Sequence, residues 1–263
     1  MNRNGMRLLM STMLAGVFLV SASTAALADC AVFGSASAAN SALHSALQAA
    51  QSQSNGGFSL NMWATIVDRD GTVCAVAFTG GARGDQWPGS RVISAQKANT
   101  ANAFSLAGLA LSTANLYSAV QPGGSLFGLQ ESNPVNTSVA YAGPATNFGT
   151  ASDPMIGGRI GGVNVFGGGL ALYKAGVLVG GLGVSGDSSC ADHNIAWRTR
   201  NNLNLDHLAG VGGVSGDSSR PDNIVYDIKS HPFQMNGVSA GGWGHPQCSA
   251  AATAIAASLP VVQ

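Results

Sequence analysis

Ala36, Leu43, Leu47 and Ala50 recur at helical spacing in a stretch without Gly or Pro, and the spacing predicts an amphipathic helix over 35–52, ended by Asn55-Gly56-Gly57. Phe58, Leu60, Met62, Ala64 and Ile66 then alternate with Ser59, Asn61, Trp63, Thr65 and Val67, which predicts a strand. The turn residues Asp68-Arg69-Asp70-Gly71 and the β-favouring run from Thr72 to Phe78 complete an antiparallel hairpin. After a polar loop at 82–89, Ser90 is placed to cap a helix through Val92, Ile93, Ala95, Lys97, Ala98, Ala101 and Phe104, broken near Gly108 and resumed to about Val120. A second hairpin is expected at 170–174 and 177–182 around Ala175-Gly176, followed by a helix at 190–203 capped by a preceding serine. Residues 204–247 hold no strong period, and 250–259 form a modest Ala-rich helix ended by Pro260.

The order helix, hairpin, helix, hairpin, helix implies an α+β class: an antiparallel sheet built of hairpins with helices packed on it, not a doubly wound sheet. Residues 121–162 are dense in Gly and Pro and form a long loop insertion, functional or poorly ordered. Within it, Asn136-Thr137-Ser138 formally matches a glycosylation acceptor.

The amino-terminal stretch follows other rules. Arg3 and Arg7 precede an apolar run from Leu8 to Val20, and Ala26-Leu27-Ala28 supplies the small-x-small end of a cleavable signal peptide. The run is shorter than the roughly 20 residues that span a bilayer. A signal peptide at 1–28 and a single domain at 29–263, with an irregular carboxy-terminal extension at 206–263, are therefore expected, in a secreted or periplasmic location. Asp29 before Cys30 counts against lipid attachment.

Without its two signal-peptide arginines, the chain keeps ten basic against twelve acidic residues. Nothing in that balance attracts nucleic acid or an anionic membrane. Only 9% of all residues are charged, so Gly, Ser, Asn, Thr and Ala must make the surface. Four cysteines in an exported chain favour disulfides, and no pair has C-x-x-C spacing. Three pairings are open; the working one joins Cys30 to Cys248, tying the chain ends, and Cys74 to Cys190.

Gly181-x-Gly183-x-x-Gly186, with Asp206 beyond it, satisfies a dinucleotide fingerprint on paper. A hairpin strand before it, no βαβ unit after it and an exported compartment argue against that use. Two readings remain: an anion site at the following helix N-terminus, or a tight turn that needs small residues. Gly-Val-Ser-Gly-Asp-Ser-Ser occurs at 183–189 and again at 213–219, which suggests either Ca²⁺ held by Asp187, Asp192, Asp217 and Asp222, or reuse of a turn. Ser185, Asp187 and His193 invite a hydrolase reading, but the nucleophile-elbow spacing is absent. Arg83-Gly84-Asp85 reads as a chance tripeptide in a polar loop.

Several of these motifs occur together in a fixed order. They are Ala64-Thr-Ile-Val-Asp68-Arg-Asp-Gly71 with Val73 to Phe78, then Ser90-x-x-Ile93-x-x-x-Lys97-Ala98-x-Thr100-Ala101-x-x-Phe104. Phe166-Gly-Gly-Gly169-x-x-Leu172-Tyr-x-x-Gly176-x-x-Val179-Gly180-x-x-Gly183-Val184-Ser185-Gly186 follows, with Asp192 after it. Over about 35–205 the sequence resembles the GlcG/HbpS-like haem-binding family, and also the C-terminal part of PduO-type cobalamin adenosyltransferases. The resemblance implies an antiparallel sheet with helices on it, homo-oligomers, and haem as the usual ligand, degraded by some relatives. Lys97 and the Gly183–Asp187 loop are the family's signature positions, with a ligand role or a structural one open to them; with His193 on the helix that follows, Lys97, Gly183, Ser185, Gly186 and Asp187 form the expected ligand-binding set. A haem needs one or two axial ligands and an apolar slot, for which His193, His207, His231 and His245 are the candidate iron ligands. The expectation is an exported, non-catalytic haem carrier or sensor holding its small-molecule ligand near 183–193. The rivals are an enzyme acting on haem or a small carboxylate through the Gly-rich 183–187 loop, and a structural or sensor-partner protein.

Overall fold

A computed structural model describes residues 29–263, so the expected signal segment at 1–28 lies outside the described residues. Helix α1 (Ala36–Gln51) starts where Ser35 Oγ accepts the Ala38 N–H, and its apolar stripe of Ala39, Leu43, Ala46, Leu47 and Ala50 is buried. Strands β1 (Trp63–Asp68) and β2 (Val73–Phe78) form the first hairpin, and helix α2 (Ser90–Phe104) follows. A one-turn helix, α3 (Thr137–Ala140), interrupts the Gly/Pro-rich insertion. Strands β3 (Gly169–Lys174) and β4 (Val177–Ser185) form the second hairpin and lead into helix α4 (Ser189–Asn202), capped by Ser188.

The four strands make one antiparallel sheet in the order β2-β1-β4-β3, the two hairpins meeting where Trp63 lies opposite Ser185. Helices cover both faces. Ala64, Ile66, Leu182 and Val184 join Leu43, Leu47, Ile195 and Trp197 in one core, under α1 and α4. Trp63, Val67 and Val76 join Val92, Ala95 and Ala98 in the other, under α2.

The glycines of the fingerprint have their explanation in the α2 layer. A Cβ on Gly183 would lie 1.9 Å from Ser94 O, and one on Gly181 would lie 2.3 Å from Ala98 O. Glycine at these positions lets α2 settle directly on the β4 backbone.

Several expectations need correction. Residues 58–62 are not strand: the Phe58 and Leu60 amides donate to the Asp187 carboxylate at 2.9 and 3.2 Å, so they are withdrawn from a sheet ladder. Residues 108–120 do not resume a helix but make 3-10 turns at Thr113–Leu116 and Ser118–Val120, the first closed by reciprocal bonds between Ser112 and Asn115. Part of 204–247 is ordered as a hairpin, β5 (Ile228–His231) and β6 (Gln234–Ser239), before a final helix α5 (Ala250–Ala256). The insertion is anchored too. Gly157 N and Gly158 O bond both polar groups of Val73 at 2.9 Å, and Arg91 pairs with Asp153 in the interior.

The disulfides are Cys30–Cys74 and Cys190–Cys248, with Cα separations of 5.2 and 5.9 Å. The working pairing of Cys30 with Cys248 fails because the turn before α1 packs beside β2. Cys248, just ahead of α5, is brought instead to the first turn of α4. No helix among the described residues is long and apolar enough to cross a membrane.

Candidate functional site

The family-signature residues converge where β4 ends and α4 begins. Lys97, from the middle of α2, donates to Asp192 Oδ2 at 2.7 Å and to Val184 O at 3.1 Å. Asp192 Oδ1 in turn accepts the Asp187 N–H at 2.8 Å. Ser185 Oγ meets Ser90 Oγ at 3.2 Å. Lys97, Ser185, Asp187, Asp192 and His193 are all buried, with at most 7% exposure.

The expected Gly-rich loop is therefore a strand end and a buried turn. Gly186 carries a φ of 156°, and a Cβ there would lie 2.5 Å from Asn61 O. Its space is filled by protein. The carbonyl-and-carboxylate network ties α2, β4, α4 and the 58–60 segment together, and burial pushes Asp192 up to about 6 against the pull of Lys97.

Calcium is corrected here as well. The four aspartates do not gather: Asp187 serves the 58–60 amides, Asp192 pairs with Lys97, Asp217 with Arg220, and Asp222 with Arg200. Among the described residues, the cluster that meets metal-ligand geometry is Cys30, Asp68 and Cys74, whose sulfurs form a disulfide.

The histidines occupy four different environments. His193 is fully buried, its Nε2 3.1 Å from Asn223 Oδ1, with no partner for Nδ1 among the described residues. His245 is also buried; its Nδ1 lies 2.8 Å from Pro246 O, which fixes the proton there and leaves Nε2 an acceptor with no partner among the described residues. His231 is exposed on β5. His207 alone among them borders a described cavity.

Burial lowers both buried imidazoles to about 4; Asp222 opposes this at His193, while Arg200 and His245 add to it, and Lys97 adds to it at His245. Between about pH 4 and 6.5 the unfolded chain binds protons that the folded imidazoles refuse, so stability falls as pH drops through that window. Asp192 works oppositely. With its folded value raised, its contribution is lost as pH rises from about 4 to 6. Two histidines outweigh one aspartate, so the melting temperature should rise from about pH 4.5 to about 6.5. Thermal scans across that range check it, and His245→Gln should flatten the rise.

The cavity at His207 has a volume of about 370 Å³ and lies between α1, β1 and the 203–207 segment. Val32, Phe33, Ala42, Ile66, Leu203 and Leu205 make it apolar, and Lys174 and His207 stand at its border. Lys174 Nζ donates to Val32 O at 3.1 Å from an exposed position. His207 Nδ1 accepts the Ala175 N–H at 2.9 Å, which puts the ring proton on Nε2, facing Asn204 Oδ1 at 3.1 Å. Lys174 went unnoticed in the sequence, where it is only the last residue before a turn.

A family model described as haem degrading protein HbpS-like matches residues 35–200. Solved structures that resemble this chain include a PduOC:heme complex, at 26% identity over 63% of this chain and 91% of that one, with a TM-score of 0.44. Klebsiella pneumoniae protein ORFY matches at 23% identity over 62% and 88%, TM-score 0.42. HbpS matches at 17% identity over 76% and 97%, TM-score 0.38. No curated protein sequence matches the chain.

Proposed function

The chain belongs to the HbpS-like family, whose description is haem degrading; from that membership we propose that it binds haem, and from the amino-terminal pattern and the cavity at His207 that it is an exported carrier which holds its ligand. The observation that carries this reading is the apolar cavity bordered by an imidazole and an ammonium. Bound haem brings an iron that accepts an axial donor and two propionates that favour cations. The lining chemistry suits that group, with the cavity taking one edge of the macrocycle and the rest lying outside it. Aliphatic and aromatic walls suit the macrocycle, and the exposed Lys174 can exchange Val32 O for a carboxylate. His207 must give up the Ala175 hydrogen bond to offer Nδ1, at a cost of about 1 kcal/mol.

Lys97, Gly183, Ser185, Gly186, Asp187 and His193 take a positioning role in this reading, because each is buried behind other protein groups. Export is supported by the pattern of residues 1–28 and by two disulfides, which persist in oxidising compartments. Self-association belongs to the same proposal, supported by the exposed Phe58, Phe127 and Phe233.

Titration of the disulfide-intact protein with haemin should give a saturable Soret shift at one equivalent per chain. His207→Ala should weaken it by roughly tenfold or more, and Lys174→Ala by a few-fold. No saturable shift overturns the haem reading, whereas undiminished affinity in His207→Ala moves the ligand to another surface. Steady loss of the Soret band under reductant and oxygen would mark turnover and displace the carrier reading.

A further inference from the structure

We propose that a second cavity, on the α2 side of the sheet, is a binding site for a small planar aromatic carboxylate. It has a volume of about 310 Å³, at the low end of ligand pockets, and suits one or two fused rings. Its floor is Trp63, with Val92 and Pro88 beside it; Tyr141, Ala145 and Phe148 of the Gly/Pro-rich insertion form the opposite wall. The insertion thus builds half of a cavity that α2 and the sheet leave open.

The walls are fixed in place. Trp63 is 1% exposed and packs edge-on against Phe78, with ring centroids 5.0 Å apart. The Arg91 guanidinium stacks 3.6 Å above the Phe148 ring. Arg91 is itself fully engaged, donating to Ala140 O at 2.8 Å and to both oxygens of Asp153. It holds the insertion down and has no charge to spare.

One charged group is left over. Arg83 borders the cavity, is exposed, and has no hydrogen-bond or ion-pair partner among the described residues. The nearby Asp85 carboxylate turns back on its own loop, accepting the Ala82 N–H at 2.9 Å. Aromatic walls and an unpaired cation at the rim together describe a site for a flat ring bearing a carboxylate. None of its lining residues is shared with the cavity at His207, so the inference does not rest on the haem proposal.

The probe is 2-naphthoate, with uncharged 2-naphthamide as its control, followed by calorimetry on the full disulfide-intact protein. Naphthoate should bind one per chain and roughly tenfold more tightly than the amide. Arg83→Ala should abolish that preference, Arg83→Lys should restore part of it, and Tyr141→Ala should weaken both probes. These side chains lie on the surface, so the variants should melt with the native protein. Failure of naphthoate to saturate, equal affinity for both probes, or an unchanged preference in Arg83→Ala overturns the assignment. Haemin affinity should be unaffected by Arg83→Ala; its loss would mean that haem occupies this cavity, and would also overturn it.

Discussion

Replacing Asp222 by alanine should destabilise the protein by about 3–5 kcal/mol, because it strands a buried cation. Arg200 is 0% exposed, and its two terminal nitrogens meet the Asp222 carboxylate at 2.6 and 2.9 Å. The same guanidinium lies over the Trp197 ring and donates to Ala171 O, so it cannot swing out to water without undoing the packing of α4 on β3. Urea unfolding measures the loss. Removing both partners, as in Arg200→Met with Asp222→Leu, should recover most of it, since well-packed apolar groups often replace a buried ion pair without cost. A similar loss in the double variant would mean that shape, not the stranded charge, governs the site.

Converting both Cys190 and Cys248 to serine should cost about 2–5 kcal/mol, the range for a disulfide closing a long loop. The bond spans 58 residues of sequence, and Cys248 Sγ also accepts the Cys190 N–H at 3.2 Å. The damage should be local. Hydrogen exchange should accelerate in the first turns of α4 and across 223–256, where Asn223 and His245 lose their anchorage, while β1 and β2 keep their protection. Uniform acceleration over the whole chain would instead show that the bond acts only on the unfolded state.

Much of the fold is legible in the sequence wherever one local force decides. Helix α1 occupies 36–51 against the expected 35–52, because periodicity, the Ser35 cap and the absence of Gly and Pro all agree. The second hairpin is equally plain, fixed by Ala175-Gly176 in left-handed backbone at φ 48° and 78°. Where a distant group competes, the reading fails. The alternation at 58–62 suits a strand, but Asp187, more than a hundred residues away, claims its amides. The same limit applies to the site. The resemblance put Lys97, Ser185, Asp187 and His193 in one expected set, which the fold does bring to the β4–α4 junction, but it carried no information about what covers them. Part of the cover comes from Asn223 on His193 and from Cys248 on the first turn of α4, far along the chain. Arg83 stands out in the sequence only as part of a chance tripeptide, and the cavity it shares with Tyr141 gives both their meaning.

The extension beyond residue 200 lies outside the family match, yet it supplies Asp222, Asn223 and Cys248 to α4. It also receives the Trp197 indole N–H on Pro260 O at 2.9 Å. It therefore behaves as a subunit fused in cis, satisfying a face that a shorter chain would have to offer to solvent or to a second copy. Any assembly formed by this protein must be built on surfaces other than the α4 face, the extension's own exposed Phe233 among them.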